Sequence, residues 1–237
     1  MTKHAELRHL CKRQHECIGN PSYSNRHRSD RRAPSSDLVP KPIYLQPTYG
    51  ACTYNNFVTA SKISVTLNPG VYCGGLKLGA GDNATFNPGL YVINGGQFIT
   101  QGGSTVQGTG VSFYLTGNQA GVSFTGGDTF HLSAMTTGSL AGFLFFLDRN
   151  AVPNKVSVVG GGGNVFYEGI LYFPTQPLNF TGGSTSTGPS NYGVYIADTI
   201  LYGGGGTLII KYDPTKTSVP ILPGVYAPGG GTPYLVN

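Results

Sequence analysis

The sequence has no tryptophan, only two methionines, and few charges: Lys, Arg, Asp and Glu together make up 11% of its 237 residues. Helix formers are scarce beyond the first forty residues, which argues against a helical core. No apolar run approaches the length of a membrane-spanning helix or of a secretory signal core. Taken alone, that absence predicts a cytosolic chain with no membrane span. Glycine is abundant, at 37 residues, but it does not recur at every third position, so collagen is excluded. What remains is Gly with Thr, Val, Ser, Tyr and Phe, the chemistry of strands and turns.

The net charge of +5 is unevenly distributed. Residues 1–41 hold nine of the 15 Lys and Arg against four acids, and the rest of the chain is balanced. The run "RHRSDRRAPSSD" has neither interleaved aromatics nor an amphipathic period, so it reads as a solvated basic leader and nucleic acid is disfavoured as a partner. In the leader, Cys11 and Cys17 sit with His9 and His15 in "HLCKRQHEC". Five residues separate the cysteines and no second ligand pair follows, so no metal site is expected. Cys52 and Cys73 flank "TYNNFVTASKISVTLNPGVY". They read either as a disulfide tying the start of the domain to its first layer or as two buried thiols. A disulfide would place the domain in an oxidising compartment, with the export signal in a longer parent or lost.

Internal repetition organises the remainder. Six segments share a turn residue, a glycine and an apolar run: "NPGVY", "NPGLYVI", "TGVSFYL", "AGFLFFL", "EGILYF" and "YGVYIA". Between them, alternating segments lead into glycine turns, as in "LKLGAGDNATF", "QFITQGGSTVQ" and "VSVVGGGGNVF". The anchoring glycines are Gly70, Gly89, Gly110, Gly142, Gly169 and Gly193. This spacing predicts an all-β, right-handed parallel β-helix with glycine-rich turns, two or three short strands to a coil. The alternative is a β-sandwich. The division is a basic irregular segment at 1–48, the β-helix at 49–213, and a Pro/Gly-rich extension at 214–237 that caps the helix or docks a neighbour. Inward positions are predicted at Val71, Leu76, Leu78, Leu90, Val92, Phe98, Val111, Phe113 and Leu115. Two long loops, "MTTGS" and "DRNAVPNK", are placed on one edge.

Chemistry is sparse. The glycine turns lack the Lys-Ser/Thr of a phosphate loop and lead into no helix. Asp82 and Asp128 follow equivalent glycine turns, with Ser104 at the position between them. Stacked coils would put them two rungs apart, about 9–10 Å, a separation that suits an inverting acid pair. They are the residues to test if the protein is an enzyme; otherwise they are solvated turn residues. Asp148, Arg149 and Glu168 read as loop ion pairs or strand ends, His131 as an outward strand residue, and Lys77 and Lys155 as solvent-facing guards against lateral pairing. Asn83 and Asn179 open glycosylation sequons of no expected consequence. No catalytic residue or cofactor is implied. Strand-end tyrosines, Tyr72, Tyr91, Tyr172 and Tyr195 foremost with Tyr114 and Tyr202, are candidate surface aromatics for binding carbohydrate or protein.

The ordered blocks from "ACTYNNFVTASKISVTLNPGVYCGGLKL" through "GTGVSFYLTG", "LAGFLFFLDRN" and "EGILYFP" to "YIADTI" resemble the C-terminal half of TadG-like proteins of tight-adherence (Flp-type) pilus assembly. The resemblance spans about Ala51 to Tyr212. It implies an exported β-helix-like domain at the cell envelope of a Gram-negative bacterium, with the family's cysteine pair at Cys52 and Cys73. It carries no catalytic residue. The membrane-spanning helix that begins such proteins has no counterpart here. The expected role is a non-enzymatic structural or adhesion module whose partners are envelope or pilus proteins or further copies of itself. A carbohydrate-binding or carbohydrate-active β-helix is the alternative.

Overall fold

The computed structural model describes residues 46–124, 126–153, 155–160, 164–181, 185–186, 190–203, 207–208, 213 and 215–221. The basic leader, with Cys11 and Cys17, lies outside them. The described residues form eighteen strands and no helix. Among them, no helix is long and apolar enough to cross a membrane.

The strands wind into coils, each crossing three faces in turn. Coil one holds β1 (Tyr54–Val58) and β2 (Ser64–Leu67); coil two holds β3 (Gly70–Leu78) and β4 (Asn83–Phe86). Coil three holds β5 (Gly89–Asn94), β6 (Phe98–Thr100) and β7 (Thr105–Gly108). Coil four has β8 (Val111–Thr116), β9 (Val122–Ser123) and β10 (Thr129–Ser133). Coil five has β11 (Phe143–Leu147), β12 (Ser157–Val158) and the first half of β13 (Val165–Phe173). The second half of β13 opens coil six, continued by β14 (Leu178–Phe180) and β15 (Thr185–Ser186). The last coil has β16 (Gly193–Ala197), β17 (Ile200–Tyr202) and β18 (Thr207–Leu208).

Every strand pairs in parallel with its equivalent one coil away. The first face runs through Gly89↔Val111, Phe145↔Phe113 and Gly169↔Gly193; the second through Leu76↔Phe98 and Phe98↔Val122; the third through Ser64↔Asn83, Asn83↔Thr105 and Thr129↔Thr105. This is a parallel β-solenoid, and the antiparallel pairing of a sandwich is absent from the described strands.

Aromatic rings fill the interior. Phe113 stacks on Phe145 at 5.0 Å and meets Tyr91, Phe86 and Phe98 at 5.2–5.3 Å, so one side chain joins all three faces. Leu76, Leu78, Phe98, Val111, Phe113 and Leu115 are fully buried, as the alternation predicts. On the first face of coils two and three the parity is the reverse of that expected. Tyr91 pairs in register with inward Phe113, and Tyr72 with Ile93, so Val71, Leu90 and Val92 lie on the opposite side of their strands. A one-residue change of parity moves a whole strand's side chains across the sheet. It is tolerated because the tyrosine hydroxyls find carbonyls at the corner, as described below.

The two long loops, 134–142 and 148–156, flank the first face at its two opposite corners rather than sharing one edge. The described part of the C-terminal extension lies beside the first of them. Val219 is buried, and the carbonyl oxygen of Pro220 is 2.8 Å from where a Cβ on Gly142 would sit.

Candidate functional site

Asp82, Ser104 and Asp128 occupy one rung position at the corner between the second and third faces, because Asn83, Thr105 and Thr129 pair in register immediately after them. The corner places both carboxylates out of solvent; each is 0% exposed. This corrects their reading as solvated turn residues. Asp82 accepts from the Thr59 hydroxyl, from the Gly79 amide at 2.9 Å and from the Ile63 amide at 3.1 Å. Asp128 repeats the scheme, accepting from the Thr100 hydroxyl and from the Ser104 amide at 2.9 Å. Ser104 in turn donates to the Gly79 carbonyl at 3.0 Å. Each group reaches back one coil, so the three together bolt coils one to four. Their oxygens face amide and hydroxyl donors of the chain itself, and an external polymer has no approach to the pair.

The tyrosines also differ from expectation. Tyr72 and Tyr91 are interior residues, and their hydroxyls turn to the Asn-Pro-Gly corners. Tyr72 donates to the Asn68 carbonyl at 2.8 Å, and Tyr91 lies 2.9 Å from the Leu67 carbonyl and 2.7 Å from that of Asn87. Burial raises the pKa of both hydroxyls, and neighbouring tyrosines add to it. Tyr172 is buried too, accepting from Arg149 Nε at 2.7 Å, with the guanidinium 5.6 Å from its ring centroid. Of the four foremost candidates Tyr195 alone is half-buried rather than buried; Tyr202 is exposed. A carbohydrate-binding surface built on Tyr72, Tyr91 and Tyr172 is therefore not formed.

Asp148 closes a second polar cluster, on the outer side of the first face. It accepts from Tyr114 Oη at 3.0 Å, Thr116 Oγ1 at 2.8 Å, the Asn150 amide at 2.9 Å and Gln46 Nε2 at 3.3 Å. Burial alone would raise its pKa, but the bonds from Asn150, Thr116, Tyr114 and Gln46 outweigh that and hold it below the usual carboxylate value. Its neighbour Arg149 is engaged with Tyr172 instead, so the two form no ion pair.

Through Gln46 this cluster anchors residues 46–52, a strap that also sets Tyr49 against Tyr114, at 6.0 Å between ring centroids. The strap ends at Cys52, bonded to Cys73 with Cα atoms 5.6 Å apart. The bridge realises one of the two readings of that pair. Lys155, expected to face solvent on a strand, lies outside any strand and donates from Nζ to the Gln119 carbonyl and to Gln119 Oε1, each at 2.8 Å.

The third face carries what sequence reasoning missed. Its outward side chains form two regular files across successive coils, one through Asn83, Thr105 and Thr129, the other through Thr66, Thr85 and Gln107. The second file continues to His131, exposed as expected and stacked on Phe166 at 4.2 Å with a 2° interplanar angle. The signal was present in "SVTL", "NATF", "TVQG" and "TFHL", each alternating polar and apolar residues with period two. Among the described residues no three His, Cys, Asp or Glu are grouped to hold a metal.

Fold and side chains thus define a β-solenoid whose buried acids serve its corners and whose polar ladders face solvent. No family model, curated protein or solved structure matches the chain.

Proposed function

We propose that this chain is a non-enzymatic structural and adhesion module of the cell surface, related to TadG-like pilus assembly proteins and partnered by envelope components. The observation that carries the reading is the fate of Asp82 and Asp128. The acid pair that a solenoid hydrolase or lyase would place in an open groove is spent here as buried acceptors joining coils. The Cys52–Cys73 bridge supports an oxidising compartment, because such links persist outside the reducing cytoplasm. The pilus connection rests on the block resemblance alone. Stacking of copies end to end is part of the reading, since among the described residues β2 and β17 terminate the main run of parallel-paired strands.

Two measurements test this. Protein recovered from its native cells is analysed by mass spectrometry for the Cys52–Cys73 linkage and by surface proteolysis for exposure; two free thiols in a protected protein would sink the surface assignment. Separately, the purified chain is incubated with pectin and alginate. Turnover that disappears in Asp82→Asn or Asp128→Asn would replace the structural reading with an enzymatic one.

A further inference from the structure

We infer that the third face is a binding surface for a neutral, hydroxyl-rich polymer, a glycan chain laid along the solenoid axis; this rests on the adhesion reading above and gives it a surface and a ligand class. Six side chains carry the inference: Asn83, Thr105 and Thr129 in one file, Thr66, Thr85 and Gln107 in the other. All are exposed except Thr85 and Thr129, which are half-buried.

Geometry makes the array regular. Neighbouring coils are about 4.8 Å apart, close to the length of one sugar unit in an extended glycan, and the two files are separated by two residues of strand, about 6.6 Å. A polymer running along the axis meets a hydroxyl or amide of at least one file at each rung of coils one to four, beyond which the second file passes through His131 to Phe166. The array is also stiff. Threonine has little χ1 freedom, and Gln107 Nε2 is fixed on Thr85 Oγ1 at 2.9 Å, so little side-chain entropy remains to be lost on binding.

Charge and chemistry select the ligand class. Strands β2, β4, β7 and β10 contain no Asp, Glu, Lys or Arg. With no cation in these four strands, and only Glu168 added where β13 continues the face beside Ser133, they offer nothing to neutralise phosphates or uronates, which disfavours nucleic acid and acidic polysaccharide. Without an outward aromatic or Arg anchor among the six, it lacks the hot spots on which protein interfaces depend. His131 and Phe166 stack along the axis and turn ring edges outward, so they add no platform for the flat side of a sugar. Recognition is then by hydrogen bonds, each weak, multiplied along the polymer. Long chains bind and single sugars do not compete.

The test uses the full chain with its disulfide intact. Retention is measured on cellulose, mannan and amylose, on polygalacturonate and on duplex DNA, and released reducing ends are assayed in the same tubes. At least one neutral polymer retains the protein, monosaccharides do not displace it, and the acidic polymers do not retain it. Thr85→Lys combined with Gln107→Lys weakens retention by about tenfold or more, because several rungs are lost together. The milder pair Thr105→Ala and Gln107→Ala weakens it in the same direction, which guards against misfolding of the first variant. Ser123→Lys, on the second face, leaves it unchanged. Failure on all three neutral polymers, preference for an acidic one, or indifference to the third-face variants overturns the inference. Retention that is indifferent to them leaves adhesion standing and removes this face from it. Release of reducing ends overturns the non-enzymatic reading itself.

Discussion

A carboxylate buried without a cation persists only where donors surround it, and at the residue scale Asp82 shows what that requirement does to a candidate catalyst. Its donors come from Thr59 and Ile63 of the preceding coil and Gly79 of its own. Truncation to Ala would leave the Thr59 hydroxyl without its acceptor in the interior, take from the Gly79 amide one of its two acceptors, and free the part-buried Ile63 amide. Asp82→Ala is therefore expected to lower unfolding stability by about 2–4 kcal/mol, with no change in the denaturant slope, measured by urea titration. A loss under about 0.5 kcal/mol would mean that water reaches the corner, as at an ordinary surface position. Asp148 gives the pH dependence. Its folded pKa is depressed, so its stabilising contribution is fully present above the unfolded carboxylate value, about 3.9, and is lost as pH falls through the lower folded value. Wild type should be more stable than Asp148→Asn at neutral pH, and the gap should close in acid. A gap that stays constant with pH would show that the carboxylate charge is irrelevant to the strap.

At the element scale the corners decide the fold. At the turn from the first to the second face, a Cβ on Gly96 would lie 2.2 Å from the Gly74 carbonyl oxygen of the coil before. Neither backbone can yield without breaking the ladder. Its neighbour Gly95 has open space around it but a φ of 77°, so the two glycines are needed for different reasons. Gly96→Ala is expected to cost about 3 kcal/mol or to prevent folding, and Gly95→Asn to be nearly neutral, because Asn tolerates positive φ. Thermal melts of the two variants separate crowding from conformation. These corners were the most legible feature of the sequence, since the Gly pairs and Asn-Pro-Gly turns mark where each coil bends. Register and parity were less so. Gly70 pairs with Tyr91 rather than with Gly89, and a Cβ on Gly89 would fall 2.5 Å from the Pro69 ring. A tyrosine looks like a surface residue until its hydroxyl is known to have a carbonyl waiting inside. For the same reason Asp82 looked solvated: the donors that bury it belong to other coils, some twenty residues away in sequence.

At the scale of the whole molecule, stability in a solenoid is close to a sum over coils and their contacts with nearest neighbours. Such a chain is weakest at its ends, where a coil has one neighbour instead of two. The strap addresses the first end. Residues 46–52 are held by Gln46 on Asp148 and by Tyr49 on Tyr114, and they are closed covalently at Cys52–Cys73 beside β1. The Thr53 amide then donates to the Val71 carbonyl at 2.8 Å, which begins the pairing of coil one on coil two. A link across 21 residues is worth about 3 kcal/mol in the chain-entropy model. Because the ring encloses β1 and β2, its loss should fall on those strands and leave the middle of the solenoid intact. Cys52→Ser combined with Cys73→Ser is expected to speed hydrogen exchange of amides in β1 and β2 by orders of magnitude, with β8 and β11 almost unchanged. Uniform loss of protection across all coils would instead show that the solenoid unfolds as one unit and that the bridge stabilises all of it equally.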